Sequence, residues 1–241
     1  MPKSIRRIIA AAAWIVIWQL AVLIIHNRIL LAGPVDTVVA LMRLAGTGAF
    51  WGSVWQTTAR ILLGFALGSV LGIVFAYLAG HKAWLEDFLK PLVSALKSIP
   101  VASFVILLLI WFGSRNISIV ICSMVVFPIL YLNTLEGLKS TDHKLLEMAK
   151  VYRMPGTRLL RYIYLPQLKP FFKSAFKLAI GMSFKSGIAA EVIGQPLGTI
   201  GNGLYLSKIY LETAELFAWT IVVVLVSFIC EKIIVKLFDL I

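Results

Sequence analysis

Residues 57–79 of the chain read TTARILLGFALGSVLGIVFAYLA. The stretch is apolar over a length close to the roughly 20 residues that a helix needs to cross a bilayer core of about 30 Å. Gly64, Gly68 and Gly72 recur at every fourth position and therefore share one face of that helix. Because a ridge of small residues lets two helix backbones approach closely in lipid, the stretch predicts a membrane-spanning helix with a tightly packed neighbour.

The rest of the chain is similarly apolar. Of its 241 residues, 60% are hydrophobic, and the mean hydropathy is +0.93. One soluble core of this size cannot bury so much apolar surface. The sequence therefore predicts an all-α, polytopic membrane protein with about six transmembrane helices, kinked or broken at Pro100 and Pro128. The five further predicted spans are residues 8–25, 94–112, 117–136, about 168–188, and 214–235.

The basic residues predict the orientation in the membrane. If the N-terminus is cytoplasmic, 17 of the 23 lysines and arginines lie in inner segments and five lie in outer ones. The positive-inside rule therefore predicts a multi-pass protein of the cell (inner or plasma) membrane with both termini in the cytoplasm. The formal charge of +12 is then a topology signal, so no nucleic-acid partner is expected. The histidines are scattered and the two cysteines lie in apolar runs, so no metal site is expected either.

Residues 34–56 are too short and too interrupted to span the membrane. Their apolar residues recur at helical spacing, and Trp51 and Trp55 follow. Tryptophan is favoured at the membrane interface, so the segment predicts a helix lying on the outer face. The N-terminal part of the chain, residues 1–53, then consists of the first predicted span and most of this outer-face helix.

The inner segment between the fourth and fifth spans differs from its surroundings. Residues 137–169 read GLKSTDHKLLEMAKVYRMPGTRLLRYIYLPQLK. Thr141 or Asp142 can cap a helix start, and Pro155 ends the helix. The apolar face of this helix consists of Leu145, Met148, Ala149 and Tyr152. By pattern alone it is either an interfacial helix on anionic lipid or a docking helix that enters a groove on a soluble partner.

The same segment resembles the cytoplasmic signature of binding-protein-dependent ABC importer permeases, E-A-A-x3-G-x9-I-x-L-P. The matching positions are Glu147, Ala149, Ile163, Leu165 and Pro166. Met148 and Arg153 depart from the pattern, because Ala and Gly are usual there, and we expect the Pro155–Gly156 pair to supply the break slightly later. The resemblance covers about residues 54–236 and is closest to the branch that carries sulfonates, taurine, nitrate, thiamine precursors or flavin-type solutes. It also includes Lys97–Pro100, Trp111–Gly113, Ala190–Gly194 and Gly201–Leu204.

This resemblance implies the type I importer permease fold and a transport subunit that is not itself an enzyme. It implies a cytoplasmic ABC ATPase dimer, a second permease copy and an extracytoplasmic binding protein that delivers a small-molecule solute. We expect a homodimer, since closed two-fold dimers are the commonest oligomers. The chain has no GxxxxGK[ST] loop, so ATP and Mg²⁺ are expected on the ATPase and no cofactor is expected in this chain. Within a coupling segment, residues 139–166, the expected ATPase contacts are Leu145, Glu147, Met148, Ala149, Tyr152 and Gly156.

Lys185 is the most informative residue of the predicted spans. A lysine near mid-bilayer costs at least ~2.5 kcal/mol, so it is expected to face protein or water. One interpretation places it in the solute pathway with Ser183 and Ser186, where it favours an anionic solute. The other gives it a structural role, as an ion pair with Glu191 or as a side chain that extends to the interface. Glu191 is also a pathway candidate, or a loop residue near the outer face.

Two other classes of function remain as alternatives. A secondary transporter is expected to show internal hydropathy symmetry, and no convincing repeat is visible. A membrane-embedded enzyme needs clustered His, Asp or Glu within the spans, whereas only Lys185 and its serines lie that deep. A channel does not require the cytoplasmic helix.

Overall fold

The computed structural model describes residues 3–27 and 29–240, and these contain helices and no strand. Arg28, one of the five outer cations, lies outside the described residues. A π-helical turn, Leu160–Tyr164, leads directly into α9. The helices are α1 Lys3–Ile25, α2 Pro34–Ala45, α3 Gly48–His81, α4 Ala83–Ser98, α5 Val101–Phe112, α6 Ile117–Lys139, α7 His143–Val151, α8 Gly156–Leu159, α9 Leu165–Gly194, α10 Ile200–Ile209 and α11 Thr213–Leu240.

The glycine ridge of α3 packs directly on the backbone of α6, as the sequence predicts. A Cβ atom added at Gly64 would lie 2.4 Å from the carbonyl oxygen of Ile119. The corresponding distances are 2.6 Å from Gly68 to the carbonyl of Ser123 and 2.8 Å from Gly72 to that of Phe127. Three successive turns of α3 therefore meet three successive turns of α6, with no space for any side chain between them.

Helix α6 is the centre of the bundle, because α9 packs on another of its faces. Val126 and Leu130 of α6 are fully buried in one apolar cluster with Ile61 of α3 and Phe184 of α9. Gly187 brings α9 close to both neighbours, since a Cβ atom there would lie 2.7 Å from Cys122 Sγ. The three helices α3, α6 and α9 thus form one tightly packed core.

The predicted spans correspond to α1, α3, the α4–α5 pair, α6, α9 and α11. By length and apolarity, α3, α6 and α11 each suffice to cross a bilayer, and the α4–α5 pair counts as a fourth span if its two parts are one. The described apolar part of α1, Ala12–Ile25, is shorter, and the 30 residues of α9 include lysines. The architecture is the predicted all-α, polytopic one.

The third predicted span is broken rather than straight, as its internal Pro100 predicts. It divides into α4 and α5, whose axes differ by 107°. The break at Pro100 is confirmed: α4 ends at Ser98 and Pro100 precedes the first residue of α5. Pro128, by contrast, lies inside an uninterrupted α6. Neighbouring helices hold α6 on several faces, which maintains its helical path through the proline.

The outer segment also differs from the prediction. Only α2 forms a separate helix there, and Trp51 and Trp55 belong to α3, which begins at Gly48. The side chain of Thr47 starts α3 by accepting a hydrogen bond from the Phe50 amide. The Gly46–Thr47 turn therefore divides one predicted helix into two, and α3 extends well beyond its predicted apolar stretch.

The α3–α6 contact predicts that alanine substitutions at two glycines have different effects on the stability of the fold. Gly68→Ala places a methyl group against the Ser123 backbone, which should destabilise the fold by about 1–3 kcal/mol. Gly181→Ala on α9 is the matched control, because nothing lies within 4 Å of its added Cβ. That change should be neutral or stabilising by about 0.5–1 kcal/mol. Thermal unfolding of the two variants in detergent measures the difference, and equal midpoints would contradict the close packing.

Candidate functional site

Helix α7 is a short helix between two core helices, as the sequence predicts. Of the two predicted caps it uses Asp142, whose carboxylate accepts a hydrogen bond of 2.9 Å from the Lys144 amide. The Thr141 hydroxyl instead donates to the carbonyl of Gly137 in α6. The Asp142 amide donates to Gln167 Oε1 at 3.1 Å, which ties the start of α7 to the start of α9.

The predicted apolar face of α7 is divided in the structure. Ala149 is buried against the chain itself, and Leu145 is half-buried. Met148 and Tyr152 are exposed, Tyr152 by 77% of its surface. Glu147 is exposed as well. The helix thus anchors itself through Ala149 and presents Glu147, Met148 and Tyr152 to the outside.

A groove of about 380 Å³ separates α7 from the following turn. Glu147 and Lys150 lie on its α7 side, and Leu159 and Tyr164 lie opposite. Of the six predicted coupling residues, only Glu147 and Ala149 line this groove. Leu145, Met148, Tyr152 and Gly156 lie outside it.

The turn after α7 is made at Arg153, and the expectation that Gly156 makes it is wrong. Arg153 has φ +48°, a left-handed conformation, whereas Gly156 starts α8 without one. The Met154 amide bonds to the carbonyl of Ala149 at 2.9 Å, and the Arg153 amide bonds to that of Lys150 at 3.1 Å. This pair of bonds is a Schellman motif. The residue at its left-handed position costs the least conformational free energy when it is glycine. The geometry explains why glycine suits this position.

The structure separates Lys185 from the serines predicted to accompany it. Ser183 and Ser186 are buried, and their hydroxyls donate to the carbonyls of Ala179 and Met182 in their own helix. Lys185 lies on an exposed stripe of α9 and forms no ion pair with any described residue. The predicted pair with Glu191 is therefore absent from the described part of the chain.

Glu191 is fully buried, which corrects its interpretation as a loop residue. Its Oε2 atom accepts hydrogen bonds from Thr57 Oγ1 at 2.8 Å and from the Gly201 amide at 3.3 Å. Thr57 Oγ1 in turn accepts a bond of 2.9 Å from the Ile200 amide. Glu191 and Thr57 thereby satisfy the first amides of α10 and join α3, α9 and α10.

The approach between Glu191 and α10 requires glycine. A Cβ atom at Gly201 would lie 2.2 Å from Glu191 Cβ. Sequence reasoning had singled out both segments, Ala190–Gly194 and Gly201–Leu204, without relating them. The contacts depend on the packing of α3, α9 and α10, so no signal in the sequence relates the two segments.

Two acidic residues near the start of α11 have a basic partner on another helix. Glu215 and Glu212, at the start of α11, pair with Arg43 of α2. These pairs are exposed and contribute little to stability. They mark the position of α2 beside α11.

These features together define a class of protein: polytopic, all-α membrane proteins in which a short helix links two tightly packed spans. A family model described as binding-protein-dependent transport system inner membrane component matches residues 68–240. The chain belongs to this family. It is the permease subunit of an ABC importer, a multi-pass membrane protein that works with a separate ATPase and a solute-binding protein.

Relatives agree with this assignment, and a solved structure shares the fold. A protein of Bacillus subtilis (strain 168), provisionally named an aliphatic sulfonates transport permease, is 28% identical over 90% of this chain and 79% of its own length. One of Escherichia coli (strain K12) with the same provisional name is 30% identical over 83% and 76%. The inward-facing MetNI methionine ABC transporter matches with a TM-score of 0.63 at 18% identity, over 79% of this chain and 96% of that one. At that identity the likeness shows the fold alone.

The left-handed turn predicts the effect of restoring the family's usual residue. Arg153→Gly removes the cost of a left-handed side-chain-bearing residue, which is about 1–2 kcal/mol, and should stabilise the end of α7. In this variant, hydrogen exchange at the amides of positions 153 and 154 should slow, because the two Schellman bonds open less often. Gly156→Ala is the control, since Gly156 has open space around it and no left-handed backbone. An unchanged hydrogen-exchange rate in Arg153→Gly would contradict the claim that the backbone at Arg153 is strained.

Proposed function

We propose that α7 is the element through which a cytoplasmic ABC ATPase dimer, with its bound ATP and Mg²⁺, drives this permease. The observation that carries the proposal is the arrangement of α7: one residue, Ala149, anchors it, while Glu147, Met148 and Tyr152 remain exposed. Exposed apolar and aromatic side chains around one acidic group suit docking into a groove of a soluble partner. The hydrogen bonds of Thr141 and Asp142 attach the helix to both α6 and α9.

We propose further that the exposed stripe of α9 faces a second copy of the chain across the solute pathway. The stripe includes Leu178, Met182, Lys185 and Ala189. Lys185 lies nine residues before the end of α9, about 14 Å along the helix axis. An ammonium group at that depth is unfavourable in lipid, so the face that bears it needs protein or water against it. A two-fold dimer with a pathway between the copies provides both.

The solute that this arrangement favours is a small anion. Relatives at 23–30% identity are named for aliphatic sulfonates, taurine and bicarbonate, and one at 24% is named for riboflavin. Two copies of Lys185, one from each subunit, would place positive charge on the pathway. The pair would attract a sulfonate or carboxylate group and disfavour cations.

The orientation follows from the attachment of the ATPase. A cytoplasmic α7 places the α6–α9 connection inside, and the even number of crossings predicted for the chain then places both termini inside. The basic residues concentrated around α7 agree with this orientation. The protein is accordingly assigned to the cell (inner or plasma) membrane.

The docking role of α7 predicts uncoupling by charge reversal. Glu147→Arg should leave membrane insertion and assembly intact but reduce ATP-driven uptake about tenfold or more, since it removes a polar contact and adds an unpaired charge at the interface. Uptake into proteoliposomes and ATP hydrolysis are measured on the same preparation. The control is Glu136→Arg, the same change at an exposed glutamate of α6. Normal uptake by Glu147→Arg would exclude the docking assignment.

The pathway role of Lys185 predicts a substrate-specific defect. Lys185→Met should preserve the assembled complex and its nucleotide-stimulated hydrolysis while reducing uptake of an anionic solute. Lys169→Met, at an exposed lysine near the start of the same helix, should leave uptake unchanged. Loss of assembly in Lys185→Met would show a structural role instead.

A further inference from the structure

A cleft between α4 and α6 has the features of a binding site that the proposed function does not use. Its volume is about 240 Å³. Lys90, Ser94 and Lys97 line it from α4, and Tyr131 lines it from α6. This volume is small for a drug-sized ligand and suits one compact charged group.

Tyr131 provides the first argument for a ligand. Its side chain is 2% exposed, and its hydroxyl has no hydrogen-bond partner within the described protein. The ring stacks on Phe127 with a centroid distance of 5.9 Å and packs against Leu89 and Val93 of α4. A buried hydroxyl without a partner is unfavourable, and a polar group placed in the cleft would give it one.

The charged residues around the cleft favour a ligand group of negative charge. Lys90, Ser94 and Lys97 are spaced by four and three residues and therefore share one face of α4. Glu86 also lines the cleft, but it is already paired with Lys139 at the end of α6. Neither Lys90 nor Lys97 has an acidic partner among the residues that the structure describes. Two exposed lysines without an acidic partner thus line one small cavity.

The donors present are those that an oxyanion requires. Ammonium groups donate hydrogen bonds and cannot accept them, and the Tyr131 and Ser94 hydroxyls are able to donate as well. Hydrogen bonds from ammonium groups to anionic oxygen are the strong ones. The two lysines would repel a metal cation, and an apolar chain would leave the buried Tyr131 hydroxyl without a partner. We propose that the cleft between α4 and α6 binds an oxyanion group of the phosphate or sulfonate type.

Two kinds of molecule near α4 carry such an oxyanion group. Trp84 and Phe88 on the opposite face of α4 are exposed by 65% and 68%, which suits contact with acyl chains. One source is the headgroup phosphate of an anionic phospholipid that lies beside α4. A free oxyanion from the adjoining aqueous phase offers the same chemistry. The difference between the two sources is measurable.

The test uses the permease purified with its partner subunits in a zwitterionic detergent. One arm titrates a short-chain phosphatidylglycerol, and the other titrates inorganic sulfate, with native mass spectrometry and thermal shift as readouts. The proposal expects saturable binding in one arm, weakened about tenfold or more in the Lys90→Gln/Lys97→Gln double variant. Binding in the first arm identifies a lipid headgroup, and binding in the second identifies a free oxyanion.

Tyr131→Phe separates a binding role from a structural one. Because its hydroxyl has no partner in the protein, the variant should unfold at the same or a higher temperature without ligand, yet bind about threefold or more weakly. Lys82→Gln and Tyr77→Phe are the controls, since both residues are exposed and lie outside the cleft. Absence of saturable binding in both arms, or binding that none of the cleft variants weakens, would overturn the proposal.

Discussion

The contact between the backbones of α3 and α6 is the constraint on which the rest of the fold depends. Gly64, Gly68 and Gly72 meet the carbonyl groups of three successive turns of α6. In lipid, apolar side chains gain little by leaving their surroundings, so close backbone packing has to supply the attraction between helices. Once α3 occupies one face of α6, α9 packs on another, and Gly187 allows it to approach both. The positions of α7 and α10 follow, because both are attached to the ends of α9.

The sequence predicted the features that depend on local pattern. Each of these features has a residue spacing or a capping residue that can be identified from the sequence. They are the glycine ridge, the apolar spans and the short helix around Glu147. It did not predict the 107° bend between α4 and α5, because Pro100 shows where a helix breaks and not how the next one departs. It also misplaced the turn after α7. Arg153 adopts a left-handed backbone because two hydrogen bonds of the helix end require it, against the preference of its own side chain.

Glu191 shows a different limit of sequence reasoning. A lone acidic residue near the end of a span suggests either solvent or an ion pair, and Lys185 was the nearest partner by sequence. In the structure the two side chains lie on different faces of α9, and Glu191 instead accepts hydrogen bonds from Thr57 and Gly201. Those partners are 134 and ten residues away along the chain. Only the packing of three helices brings them together, so no local pattern reveals them.

The same packing determines how a movement of α7 would spread. The helix is joined to α6 through Thr141 and to α9 through the bond from the Asp142 amide to Gln167. Since α3, α6 and α9 share a core without space for side chains at their closest approaches, they cannot slide past one another without opening it. A displacement of α7 therefore moves these helices together as a unit. At the far end of α9, Glu191 and Thr57 hold the start of α10, so the displacement extends from one end of the bundle to the other. By contrast, the break at Pro100 separates α4 from α5, whose axes differ by 107°, so these two helices do not form one continuous rod.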